Sequence, residues 1–235
     1  MEWNSKDREY MSLALSLAKK GMGFTNPNPM VGAVIVKDGE IIGKGYHECC
    51  GKGHAEVNAF HSVTEDPKGA TLYVTLEPCS HYGKTPPCAD LVIERKVSRV
   101  VVAMKDPNEL VAGRGIDKIR EAGIRVDVGL MEEEAKKLNE VFIKYIVEKE
   151  PFVVLKTAMT LDGKIATATG QSQWISCEES RKQVHELRKK YMGILVGVQT
   201  VLDDNPSLTA EFQMEKILYE LFVIANFVFQ ETVSY

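Results

Sequence analysis

The chain has no excess of basic charge: 29 Lys and Arg stand against 33 Asp and Glu, a net charge of -4. A chain-wide basic footprint for nucleic acid is missing, so no nucleic-acid partner is expected. Long apolar runs are missing too. The longest, about 217–229, is interrupted by Glu220 and is too short to span a bilayer, so no membrane partner is expected. Residues 1–7 are polar and charged, which is not the pattern of a secretory signal. Cysteine is scarce and odd in number, with five residues: Cys49, Cys50, Cys79, Cys88 and Cys177. An odd set without an export signal suits the reducing cytoplasm, where clustered cysteines are more often metal ligands or thiols than disulfides. No internal repeat or low-complexity segment is visible. What is present is ordinary globular composition, 44% hydrophobic and 26% charged.

Strand and helix patterns alternate, as in an α/β protein. Ser5 is placed to cap a helix reaching about Lys20, with Met11, Leu15 and Ala18 on one face. Residues 31–36 read as a buried strand, and Asp38-Gly39 as a hairpin turn into Ile41-Ile42. A helix is predicted over about 54–63, strands over 71–76 and 99–103, and a helix over 88–96 between them. A short helix over 117–122, a strand over 124–128 and one long charged helix over 132–148 follow. The pattern restarts near Glu150-Pro151, with strands over 152–157 and 165–168, an Asp162-Gly163 turn, a helix over 178–190 and a strand over 194–198. The expected division is 1–149, 150–210 and a separate tail, 211–235.

The chemistry concentrates in Gly53-His54-Ala55-Glu56, Pro78-Cys79 and Pro87-Cys88. One imidazole and two thiolates would give a tetrahedral zinc three protein ligands and leave one position open, the arrangement of a catalytic rather than a structural site. Zinc lowers the pKa of bound water from 15.7 to about 7. Glu56, two residues past His54, is the candidate proton shuttle. His54 and Cys88 each precede a helical pattern, and helix N-termini favour thiolate over thiol. Singly, such a His is a cap and such a Cys a small buried hydrophobe. Jointly, His-x-Glu with Pro-Cys-x-x-Cys is the signature of zinc nucleobase deaminases. Here eight residues, not two, separate the cysteines.

That expanded segment, Cys79-Ser80-His81-Tyr82-Gly83-Lys84-Thr85-Pro86-Pro87-Cys88, resembles the deaminase domain of the bifunctional deaminase/reductase of riboflavin biosynthesis. So do Asn26-Pro27-Asn28-Pro29-Met30-Val31-Gly32, Gly45-Tyr46-His47 and Asp106-Pro107-Asn108. The resemblance implies a three-layer α/β/α cytidine-deaminase-like domain and a diaminopyrimidinone ribosylamino phosphate as substrate. It places Asn28 and His47 at the pyrimidine and ribose edge and His81 and Lys84 near the phosphate or ring carbonyl, with Asp106 and Asn108 also at the substrate. Plain readings stand beside these: a solvated loop lysine, a packed turn histidine, a turn started by Asp106 and Asn108, and incidental thiols for Cys49-Cys50. Two rivals remain: a deaminase of cytosine nucleotides or tRNA adenosine, and a non-catalytic zinc module. A homo-oligomer is left open.

Residues 151–210 resemble the opening of the same family's reductase, implying a partial dihydrofolate-reductase-like α/β domain that uses NADPH. Its carriers are Lys156-Thr157-Ala158-Met159-Thr160-Leu161-Asp162-Gly163-Lys164-Ile165, Trp174-Ile175-Ser176, Gly197-Val198-Gln199-Thr200-Val201 and Asp204-Asn205-Pro206. Lys156, Ala158, Asp162, Gly163, Trp174, Ser176, Thr200 and Asp204 are the implied cofactor contacts. The resemblance stops near Ala210, and 211–230 read EFQMEKILYELFVIANFVFQ. A permitted nucleotide string for that stretch, read one base out, encodes a reductase-like continuation. The expectation is a frameshift, with a divergent natural ending as the alternative, a reductase activity lost or impaired, and an unpaired sheet edge beside 222–229.

Overall fold

A computed structural model describes residues 3–82, 86–109, 111–209, 219–224 and 227–231, the last two stretches as backbone only. The chain divides into two units, Met1–Phe152 and Val153–Tyr235.

The first unit runs α1 (Ser5–Ala18), β1 (Gly32–Lys37), β2 (Glu40–Tyr46), α2 (Ala55–His61), β3 (Thr71–Leu76), α3 (Cys88–Glu94), β4 (Arg99–Met104), α4 (Arg114–Glu121), β5 (Arg125–Val128), α5 (Glu132–Leu138) and α6 (Glu140–Glu148). The strands form one mixed sheet in the order β2-β1-β3-β4-β5. β1 is antiparallel to β2 and β3, while β3, β4 and β5 are parallel. The central strands are continuous apolar runs because both faces are covered. Ile35, Leu72, Val100 and Val102 pack with Ala59 and Phe60 of α2, Val92 of α3 and Ile116 and Ile119 of α4. The alternate residues Val34, Tyr73, Val101 and Ala103 pack with Met11, Ala14 and Leu15 of α1 and Ala135 of α5. The three-layer α/β/α expectation describes this unit.

At the edge of the α1 layer, Asp7 is buried. Its Oδ1 accepts from the Tyr73 hydroxyl at 2.7 Å and from Arg99 at 2.8 Å. Arg99 also donates to Asp127 at 2.8 Å, tying α1 to three strands.

Three local expectations are corrected. Asn4, not Ser5, caps α1, its side-chain oxygen accepting from the Asp7 amide at 2.7 Å. The long helix over 132–148 is two helices, broken at Asn139 (φ -105°, ψ 22°). There the Asn139 amide turns to the backbone of Met30, accepting from its N–H at 2.8 Å and donating to its carbonyl at 2.9 Å. The strands expected over 152–157 and 165–168 are absent. β-branched composition suits a pleated surface, but a strand needs a neighbouring ladder, and no described strand pairs with these segments.

The second unit contains α7 (Glu178–Lys190), β6 (Gly193–Gly197), α8 (Val198–Asp204), β7 (Tyr219–Ile224) and β8 (Phe227–Glu231). Its sheet runs β6-β7-β8, with β6 parallel to β7 and β7 antiparallel to β8. Phe222 stands opposite Phe229 in the β7–β8 ladder, and β6 and β8 are the outer strands of this sheet among the described residues. Among residues 153–209, Leu208 is the one buried residue. Leu155 is 87% exposed and Trp174 69%. Among the described residues, no helix is long and apolar enough to cross a membrane.

Candidate metal and catalytic site

Three segments converge where α2 and α3 begin. His54 is the N-cap of α2, Cys88 is the first residue of α3, and Cys79 follows β3. Gly45 on β2 lets α2 approach closely: a Cβ there would sit 2.3 Å from the Ala59 nitrogen and 2.7 Å from the Ala55 oxygen. Cys79 does for α3 what a capping side chain does elsewhere. Its sulfur accepts from the Cys88 amide at 3.2 Å and its carbonyl from the Ala89 amide at 3.1 Å, satisfying two first-turn donors.

His54 Nδ1 lies 3.6 Å from Cys79 Sγ and 3.3 Å from Cys88 Sγ. All three ligand atoms fall within 4.8 Å of one another. With zinc–nitrogen near 2.0–2.1 Å and zinc–sulfur near 2.3 Å, a tetrahedral centre requires N···S edges of about 3.5 Å. The donor set and its spacing therefore fit that ion.

The two thiols share a proton unevenly. Cys79 is pulled down to about 4 by its contact with Cys88, then by hydrogen bonds from His54 and the Cys88 amide, against the effect of burial. Cys88 is pushed up by the same contact and by burial. His54 is raised, chiefly by its hydrogen bond with Cys79. Glu56, in the first turn of α2, is 3% exposed. Burial, and then the charge on Cys79, lifts its carboxyl to about 7. A carboxyl poised there can both accept and return a proton near neutral pH.

The other sequence-derived residues divide. His47 is buried, its ring 5.7 Å from that of His54 and edge-on to it. Its Nδ1 lies 3.1 Å from the Gly53 carbonyl, and Asn28 Nδ2 lies 3.3 Å from its Nε2. A neutral ring protonated at Nδ1 satisfies both contacts, leaving Nε2 to accept from Asn28. Asp106 is half-buried, and its carboxyl is raised by burial and by the nearby charges of Glu77 and Cys79. It accepts from the Asn108 amide at 2.8 Å, a turn of the Asx kind. His81 is exposed, and Lys84 lies outside the described residues. In the second unit, Lys156, Ala158 and Ser176 line one groove of about 420 Å³ with Gln183 and Leu187. Asp162, Gly163, Trp174, Thr200 and Asp204 are not among its lining residues. Trp174 instead carries the Arg181 guanidinium 4.3 Å from its ring centre.

Buried polar side chains that the sequence did not single out include Asn139, which clamps Met30, and Glu77, which accepts from backbone amides of the 106–116 segment. The one available signal for Glu77 was a carboxylate at the end of an apolar strand, directly before Pro78-Cys79.

Residues 4–104 match the family described as the cytidine and deoxycytidylate deaminase zinc-binding region. Residues 151–220 match the RibD C-terminal domain, a stretch that extends past Ala210, where the sequence reading ends the resemblance. The chain is 59% identical to the riboflavin biosynthesis protein RibD of Aquifex aeolicus over 206 residues, 88% of this chain and 58% of that protein. It is 54% identical to RibD of Actinobacillus pleuropneumoniae, over 89% of this chain and 56% of that protein. Among solved structures, it is similar to a diaminohydroxyphosphoribosylaminopyrimidine deaminase/5-amino-6-(5-phosphoribosylamino)uracil reductase from Thermotoga maritima. There the TM-score is 0.88 and the identity 51%, over 92% of this chain and 62% of that one. The chain thus spans somewhat over half the length of the curated relatives it matches.

Proposed function

The chain is a homologue of the riboflavin biosynthesis protein RibD over that span, and we propose that its first unit hydrolyses the ring amine of a diaminopyrimidinone ribosylamino phosphate. Water adds at the amidine-like ring carbon, the carbon–nitrogen bond breaks, ammonia leaves and a ring carbonyl remains. The observation that carries this reading is the cluster of His54, Cys79 and Cys88, with Glu56 buried in the first turn of α2 beside it.

His54 Nδ1 and the two sulfurs would hold a zinc ion, which when bound supplies a water acidic enough to ionise near neutral pH. Glu56 takes the proton that water gives up, holds it on its carboxyl, and delivers it first to the ring nitrogen and then to the departing amine. Its burial beside the cluster, two residues past His54, suits a group that must do both. Asn28, its amide oriented by His47, presents a polar edge to the substrate ring. Asp106 and Asn108, joined in one turn, are proposed as further substrate contacts, and His81 and Lys84 belong to the segment proposed to meet the phosphate. A purely structural zinc module has no use for a buried carboxyl two residues past its His ligand. Ammonia release from the diaminopyrimidinone phosphate, with cytidine and deoxycytidylate as controls, tests the assignment. Turnover of the cytosine compounds alone would reject it.

The reading assigns no completed NADPH-dependent reduction to the second unit. The exposure of its apolar residues over 153–209 supports this, because a cofactor site needs several loops ordered by a core.

A further inference from the structure

Glu77 sits between β3 and the metal-ligand candidate Cys79 and is 6% exposed. A buried carboxylate persists only where donors replace its lost water. Here the donors are four backbone amides. Oε2 accepts from Asp106 at 3.2 Å and Gly113 at 2.9 Å. Oε1 accepts from Gly115 at 2.9 Å and Ile116 at 3.3 Å.

One of these amides, that of Asp106, is seven or more residues from the other three, which lie together at 113–116. Gly113 is the N-cap of α4 and has no side chain to cap it, so the amides of Gly115 and Ile116 are first-turn donors without intrahelical partners. A carboxylate there meets both the free N–H groups and the positive end of the helix. The Asp106 amide belongs to the other end of the segment, just past β4. One carboxylate therefore pins both ends of the 106–116 loop. The approach is close enough to demand glycine: a Cβ on residue 115 would lie 1.9 Å from the Pro78 carbonyl oxygen. Through Pro78, the same short stretch that carries Glu77 carries Cys79.

We propose that Glu77 is a positioning residue, fixing the 106–116 loop against the metal cradle so that Asp106 and Asn108 form a pre-ordered wall for the pyrimidine substrate. This rests on the deaminase reading above. Both Glu77 carboxylate oxygens are taken up by backbone amides of the loop, so its effect runs through the loop. The carboxylate has two acceptor oxygens with two amides each. In Glu77→Gln one of them becomes an NH2 group facing two N–H donors, so at least one end of the loop must move away, and both ends if it replaces Oε2.

The test compares full-length, zinc-loaded wild type and E77Q by steady-state ammonia release, with zinc content measured on the same samples. KM for the diaminopyrimidinone phosphate should rise roughly tenfold or more, as expected when charge-assisted hydrogen bonds that order a binding loop are lost. Turnover per bound zinc should change far less. Unchanged KM, with activity falling only in proportion to zinc or folded protein, would make Glu77 a helix cap and nothing more. Should E77Q fail to fold, E77D carries the test. It keeps both acceptor oxygens on a shorter arm and should show the same split to a smaller extent; wild-type KM in E77D overturns the proposal. A wild type that releases no ammonia would defeat the deaminase reading itself, and the inference with it. A wild type that is active beside a variant of normal KM defeats the inference alone.

Discussion

The Cys88 amide donates to the Cys79 sulfur across 3.2 Å, so one candidate ligand is held by the backbone of the other. The contact makes Cys79 an acidic thiol, down to about 4, while Cys88 retains its proton until a cation competes for it. Binding of zinc should therefore release the proton that the two thiols share. The expected stoichiometry is one zinc per chain. Cys88→Ala should lose the metal and also unfold at lower temperature, because metal-binding free energy is part of folding free energy. Full zinc occupancy in purified C88A, by metal analysis, would reject the site.

Glu56 gives a different signature. It is not among the three clustered ligand candidates, so Glu56→Gln should keep zinc and fold. Deamination should fall by about 10²–10⁴-fold, the usual worth of a general acid–base group, and towards the upper end because one carboxyl handles several transfers. Near-normal turnover in E56Q would place the shuttle elsewhere.

Asp7 predicts a pH effect far from the chemistry. Burial pushes its carboxyl up, but the hydrogen bonds from Arg99 and Tyr73 outweigh this and hold it below its ordinary 3.8. A group depressed in the folded state stabilises the fold above its unfolded pKa, and that contribution is lost as pH falls through the folded value. Wild type should thus lose stability below about pH 4 more steeply than Asp7→Asn. At neutral pH the variant should be less stable by about 2 kcal/mol, since Arg99 keeps Asp127 as a partner. Urea unfolding at both pH values reads the difference. Parallel wild-type and D7N curves would mean that Asp7 is not the titrating group.

These outcomes also mark what a sequence can disclose. The cluster was legible because His54, Cys79 and Cys88 are chemically distinctive and each begins or adjoins a local pattern. Glu56 was legible through its spacing from His54. Glu77 and Asn139 were not, because their partners are backbone amides and carbonyls 29–39 and 109 residues away. A backbone partner leaves no trace in residue type. The break at Asn139 was hidden for the same reason: Glu132 to Glu148 has helical composition throughout, and only the distant pull of Met30 interrupts it. The strands expected after Pro151 failed in the opposite way, with local propensity present and the pairing partner missing.

The second unit supplies the last prediction. Lys156, Ala158 and Ser176 meet in one groove, yet Asp162, Trp174, Thr200 and Asp204 do not join its lining. Over 153–209 the apolar residues Val153, Leu155, Leu161, Ile165 and Leu202 are exposed, each at least 72%. Side chains left in water contribute none of the burial energy that would order cofactor-binding loops, and ordering those loops at the moment of binding would subtract from any affinity. The first unit has its own two-faced core, and units with separate cores can fold separately. Incubated with the diaminopyrimidinone phosphate and NADPH, the chain should release ammonia while cofactor absorbance stays constant. Limited proteolysis should cut within 153–209 before it reaches the first unit. Oxidation of NADPH coupled to a ribitylamino product would show that the second unit orders a working cofactor site, and the reading of its exposed apolar surface would be wrong.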